Sequence, residues 1–188
     1  AALPAMLLSR PGGGETVLGL VEAVTGLASL AGSLLASALP EPRSRVRVIC
    51  NSLLVSMSTE NLLLALGRGP VVWCCGAVLG WLLIPVMNTN MNALLRLRIP
   101  VEMQGRVYAA RNTLQFFTIP LGYLLGGALV DRFFEPLMAS LPEGALLRTL
   151  LGSGKGTGAA ALFLVIAGAG VLVCLAFRRD RRLWELEE

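Results

Sequence analysis

Carboxylates and amides interrupt otherwise apolar stretches of this chain. Glu22 lies in VLGLVEAVTGL and Glu60 in LLVSMSTENLLLAL. Asn88 and Asn92 lie in PVMNTNMNALL, and Asn112 and Gln115 in RNTLQFF. Ionisable and amide groups set among apolar residues mark proton or solute pathways when the stretch crosses a membrane. Other chemistry is poorly supplied. The chain has no His, which removes the commonest general base, the Ser-His triad and every His-ligated metal. The four cysteines, Cys50, Cys74, Cys75 and Cys174, form no CxxC pair and sit in apolar runs, where buried free thiols are the plain reading. No paired carboxylates, metal-ligand spacing or nucleophile with a partner base stands out. The expectation is a protein that is not an enzyme and that holds no cofactor and no metal.

The composition sets the class. Of 188 residues, 55% are hydrophobic and 15% charged, and the mean hydropathy is +0.70. A soluble domain carries about 25% charged residues and must still solvate a large surface. These numbers predict an integral membrane protein. Crossing a bilayer takes ~20 largely apolar residues, and five segments qualify: 16–38, 46–67, 70–95, 106–130 and 157–177. None alternates as a barrel strand does, so the spans are helices and the fold class is an all-α bundle of five transmembrane helices. Residues 1–15 read as the end of a preceding membrane helix and an outer loop; they lack the basic start of a signal peptide. Residues 178–188 read as a charged tail.

The net charge of +4 raises nucleic acid as a partner, but the Arg residues cluster between apolar runs, the pattern of loops at a lipid surface. Five spans put alternate loops on opposite sides. One side holds ten basic residues, among them Arg43, Arg45, Arg47, Arg96, Arg98 and Arg106; the other holds five, Arg10, Arg68, Arg132, Arg148 and Lys155. The positive-inside rule then places the first side, with the C-terminus, in the cytoplasm of a cell expected to carry the protein in its inner or plasma membrane. Lipid is the expected surrounding; nucleic acid is not an expected partner.

Helical periodicity sorts the polar groups into faces. Glu22, Gly26, Ser29 and Ser33 share one; Ser52, Ser56 and Thr59 another; Trp81, Pro85, Asn88 and Asn92 a third. Tyr108, Asn112, Gln115, Ile119, Gly122 and Gly126 share a fourth. Small and hydroxyl residues on such faces join helices, and Gly122-xxx-Gly126 reads as a small-residue contact. Asn88, Asn92, Asn112 and Gln115 are the substrate-pathway candidates. The last span is nearly free of polar groups and reads as peripheral. LLGSGKGTGAA, Leu150–Ala160, imitates a phosphate-binding loop and fails its spacing: Thr149 stands where the first glycine belongs, and Gly156 follows the Gly154-Lys155 pair instead of Ser or Thr.

The run IPVEMQGRVYAARN, with the later PLGYLLGGALVDRFFEPLM, resembles the C-terminal half of major facilitator superfamily transporters, in the macrolide-efflux and enterobactin-exporter branch. The matching positions are Pro100, Glu102, Gln104, Gly105, Arg106, Val107, Ala109 and Arg111, then Asp131, Arg132, Glu135, Pro136 and Leu137. The resemblance implies that the spans correspond to family helices eight to twelve and that the chain is a fragment lacking an N-terminal half. It implies proton-coupled export of a drug-like or siderophore-like small molecule by alternating access. Glu22 and Glu60 are then the proton-coupling candidates. Arg43, Arg45, Arg47, Arg106 and Arg111 are candidates for a cytoplasmic latch onto the absent half, although the turn holding Arg43–Arg47 lacks the family's Gly and Asp. The alternative is a non-transporting membrane subunit or assembly protein built as a simple helical bundle.

Overall fold

The computed structural model describes residues 2–142 and 144–185, with the side chain at 182 excepted. Ala1, Glu143 and the last three residues of the expected tail lie outside the described residues. Within them the chain is all-helical. A short α1 (Ala2–Ser9) leads into α2 (Glu15–Ala38). Then come α3 (Arg45–Leu66), α4 (Pro70–Arg98) and α5 (Val101–Ser140). A short α6 (Leu146–Leu151), the long α7 (Thr157–Arg179) and a terminal turn, α8 (Arg181–Trp184), complete it. Five of these, α2, α3, α4, α5 and α7, are long and apolar enough to cross a membrane, which makes the fold compatible with a multi-pass membrane protein.

Local chemistry sets the helix ends. α2 starts with Glu15 in its first turn, where negative charge meets the helix dipole favourably. It stops before Leu39-Pro40, because the residue ahead of a proline leaves the helical region. Ser44 caps α3 by accepting the Arg47 amide N–H at 3.1 Å. Pro70 opens α4, where its missing N–H costs nothing. Arg96 and Arg98 occupy the last turn of α4, against the negative end of the dipole.

Inside the helices, polar residues and prolines change the winding. α4 is interrupted at Leu83 (φ −89°, ψ −12°), two residues before Pro85, which has no N–H to give to the preceding turn. In α3, Ser56–Glu60 winds as a π-helical turn. The hydroxyls of Ser58 and Thr59 donate to the carbonyls of Leu54 and Val55, each at 2.5 Å. The Asn61 amide donates to the Met57 carbonyl at 2.8 Å. The polar run SMSTEN thus supplies its own donors to carbonyls that a wider turn leaves poorly served.

The helices pack in the spatial order α2, α4, α3, α7, with α2 against both halves of α4 and α7 against α3. The Ile84–Arg98 half of α4 lies on the first half of α3. Gly32 lets α2 reach α4 at its interruption: a Cβ there would lie 2.1 Å from the Leu82 carbonyl oxygen. The larger core sits at one end of the bundle, around Trp73, Met6, Leu7, Leu151 and Ala159–Leu162. A smaller one sits at the other end, around Val46, Ile49, Cys50 and Leu94, with Leu183 and Trp184 packed on it.

Several expectations change. Between α4 and α5 the chain breaks only at Ile99-Pro100: α5 begins at Val101, five residues before the expected start of the span at 106, and runs through Gly105 in unbroken helix. It also continues through a second π-helical turn, Val130–Phe134, to Ser140, past the expected end of that span at 130. The peripheral helix is α5, not α7. Val101–Leu129 buries no residue, and every position from Asn112 to Leu125 is exposed. α7 buries Thr157–Leu162, Ala167 and Cys174. A run of small residues lets other helices approach it closely, which hydropathy alone does not register. Gly122 and Gly126 make no small-residue contact: a Cβ at either would meet nothing within 4 Å.

Candidate functional site

The most developed polar site lies where the π-helical turn of α3 meets α4. Glu60 is half-buried, and its Oε1 accepts a hydrogen bond from Trp81 Nε1 at 2.9 Å. One turn earlier, the buried Ser56 Oγ donates to the Gly80 carbonyl at 2.7 Å. Two glycines open the α4 face to this contact. A Cβ on Gly80 would stand 2.4 Å from Glu60 Oε2 and 2.7 Å from Glu60 Cβ. A Cβ on Gly76 would stand 3.1 Å from Leu63 Cβ. The carboxyl therefore occupies space that any larger residue at Gly80 would fill. At 1.5 Å per residue it lies about 9 Å along the helix from the Leu66 end.

This arrangement suits a group that gains and loses a proton. The indole N–H only donates, so it serves the carboxylate, and it still serves the carbonyl oxygen once the other oxygen is protonated. A π-helical turn inside an α-helix frequently accompanies a functional site. Among the described residues no group of three or more His, Cys, Asp or Glu is placed to hold a metal ion.

A second polar group links α4 to the start of α5. Arg111 Nη1 donates to Asn92 Oδ1 at 2.7 Å, and Tyr108 Oη donates to the Asn92 carbonyl at 3.2 Å. Gln104 Nε2 donates to the Ile99 carbonyl at 3.0 Å. The α5 face that meets α4 is thus Gln104, Tyr108 and Arg111. Of the four pathway candidates only Asn92 belongs to this group. Asn88 is half-buried, while Asn112 and Gln115 are exposed on the uncovered part of α5. Asn90, which was not expected, is buried and donates to the Val86 carbonyl at 2.9 Å.

The remaining candidates are scattered. Glu22 is exposed on α2. Arg45 forms an ion pair with Glu41 at 3.1 Å, and Arg47 lies over the Trp184 ring, 5.9 Å from its centroid. Arg43 and Arg106 are exposed.

Arg10 stands in the sequence only as one of the basic residues on one side, and its buried role was missed. It is 7% exposed. Its Nη1 donates to the carbonyls of Ala65 (3.2 Å) and Gly67 (2.9 Å), and its Nη2 to that of Leu151. It ties the C-terminal ends of α3 and α6 together, where carbonyls lack helical partners and positive charge is favoured. Nearby, Arg68 Nη2 donates to the Thr149 carbonyl at 2.6 Å. No local pattern announces Arg10, because its partners lie 55 to 141 residues away.

Fold and site together define, over the described residues, an all-helical protein with five helices long and apolar enough to cross a membrane and a half-buried carboxyl, Glu60, held between two of them. Comparison with protein families, with curated proteins and with solved structures returns no match for the chain. The transporter resemblance of Pro100–Arg111 has no support from these comparisons.

Proposed function

We propose that the chain is part of a secondary-active membrane transporter, with Glu60 as the group that takes up and releases the coupling proton. The observation that carries this reading is the Glu60 carboxyl on a π-helical turn, against Gly80 and hydrogen-bonded to Trp81. A carboxyl within a membrane span is costly to keep and marks an ion or proton path by default. The exposed stretch of α5 supports a partner: Asn112 and Gln115 there are polar groups that lipid would leave unpaired. In this reading the partner is the other half of the transporter, the two halves enclosing a small drug-like or siderophore-like solute between them. The chain lies in an inner or plasma membrane with its Arg-rich end and C-terminus in the cytoplasm, and the resemblance to the major facilitator superfamily supplies the alternating-access mechanism. Arg106, exposed at the start of α5, is the latch position open to this partner, whereas Arg111 is engaged by Asn92 of α4.

The uncovered α5 also favours a second reading, a non-transporting subunit that docks this helix on another membrane protein. One assay separates the two. The full-length form that carries both halves is reconstituted in vesicles with a trapped pH dye, and a gradient of ethidium, a lipophilic drug-like cation, is imposed. The transporter reading expects proton movement driven by the gradient and lost in Glu60→Gln. Proton movement equal to that of protein-free vesicles, or undiminished in Glu60→Gln, contradicts it.

A further inference from the structure

The end of the bundle that carries Arg10 holds a second feature, unrelated to Glu60. A cavity of about 200 Å³ is lined by Arg10, Pro11, Arg68, Leu151, Lys155 and Thr157, together with Gly152 and Ser153. Three of these side chains are cationic, they come from three separate parts of the chain, and no carboxylate is among the lining residues. Asp131 and Glu135 line the neighbouring cleft, which Lys155 also borders, and Glu135 Oε1 accepts the Gly156 amide N–H at 2.7 Å.

The wall is built to hold charge in place. Arg10 is nine-tenths buried and fixed by its three carbonyl contacts. Burial first, and then the Arg68 guanidinium, push its pKa below the ordinary arginine value. Both effects raise the cost of its charge, which the three carbonyls offset in part. The loop from Gly152 to Gly156 turns through three glycines with positive φ, at 89°, 112° and 86°. Backbone of this kind gathers amide groups into concavities that receive anions. The loop delivers the chain into the N-terminus of α7, whose 23 residues carry a dipole of the same sign. Gly156 has little choice of residue. Its φ favours glycine, and a Cβ there would lie 3.2 Å from the Arg10 side chain.

We propose that this cavity binds a phosphate-type oxyanion, held by Arg10, Arg68 and Lys155. Guanidinium groups match the geometry of phosphate oxygens, and the lysine adds a mobile point charge. Two sources present the same chemistry at a membrane surface: a free phosphate and the headgroup of an acidic phospholipid. The loop fails as a nucleotide-binding motif by its spacing; the inference rests on the assembled cavity, with cations from outside the loop, and is independent of the transporter reading.

The test uses the whole protein in a neutral detergent. Inorganic phosphate is titrated and followed by phosphorus NMR, at constant ionic strength kept with chloride. In parallel, thermal unfolding is measured in phosphatidylcholine vesicles with and without phosphatidylglycerol. The proposal expects saturable stabilisation in at least one arm. It also expects affinity weakened about tenfold by Lys155→Ala and by Arg68→Ala, the scale of losing one charged hydrogen bond. A response in the phosphate arm identifies a free anion; a response confined to phosphatidylglycerol identifies a lipid headgroup. Both variants alter exposed side chains, so they test the site even if Arg10→Ala fails to fold. No saturation in either arm, or saturation unchanged by both variants, overturns the proposal.

Discussion

Glu60 Oε1 and Trp81 Nε1 lie 2.9 Å apart, joining α3 to α4 beside the bare Cα of Gly80. The contact exists because two local anomalies coincide. SMSTEN rewinds α3 as a π-helical turn, and Gly76 and Gly80 strip the facing surface of α4. Without the glycines the carboxyl would have no room.

Gly80→Ala should therefore destabilise the protein. The new methyl would meet not only the mobile carboxyl end of Glu60 but its Cβ at 2.7 Å, which cannot swing away. Overpacking of this kind costs ~1–3 kcal/mol. Gly122→Ala is the matched control, with nothing within 4 Å of the added methyl, and should leave stability unchanged or raise it by up to ~1 kcal/mol, since alanine is the better helix former. Thermal unfolding in detergent compares them; equal midpoints would show that the α3–α4 contact is looser than described.

Arg10 should resist even a charge-conserving replacement. Arg10→Lys keeps the cation but cannot span carbonyls on two helices, because an ammonium lacks the guanidinium fork. Losing charged hydrogen bonds of this kind costs ~1.5–3 kcal/mol each. A lower unfolding midpoint is expected, and a wild-type midpoint would mean that charge alone suffices there.

Arg111 and Asn92 should be energetically coupled, whereas Arg106 and Asn92 should not. The 2.7 Å hydrogen bond predicts an interaction energy of ~0.5–3 kcal/mol in a double-mutant cycle with Arg111→Ala and Asn92→Ala. Arg106 is exposed, so the cycle with Arg106→Ala should be additive. Additivity in both cycles would remove the α4–α5 link from the account.

Trp184 should report on Arg47. The guanidinium over its ring holds the terminal turn against α3 with about 0.5–1 kcal/mol, and Trp184 Nε1 donates to the Arg178 carbonyl at 3.0 Å. Arg47→Ala should speed tryptic cleavage after Arg178 and Arg179. An unchanged cleavage rate would mean that the apolar contacts of Leu183 and Trp184 suffice.

What the sequence made legible follows from the range of each interaction. Apolar length marked the five long helices, because length and hydropathy are properties of the segment itself. Glu60 stood out as an acid in an apolar run, yet its partners did not. Trp81 was grouped with Asn88 and Asn92 on an α4 face, and the interruption at Leu83 divides that face. α5 was misjudged at both ends, since neither Gly105 nor Asp131 and Arg132 stop a helix when nothing competes for its backbone. The role of Arg10 was invisible, because three carbonyls from two other helices create it.

The proton on Glu60 is the most direct measure of the proposed function. Infrared difference spectra of the reconstituted protein, recorded while pH is stepped across its folded range, should contain a carboxylic-acid carbonyl band that appears and disappears reversibly. That band should be absent in Glu60→Gln and shifted in Trp81→Phe, which removes the indole hydrogen bond. A band that survives in Glu60→Gln, or no titrating band in the wild type, would contradict the assignment of Glu60 as the proton-carrying group.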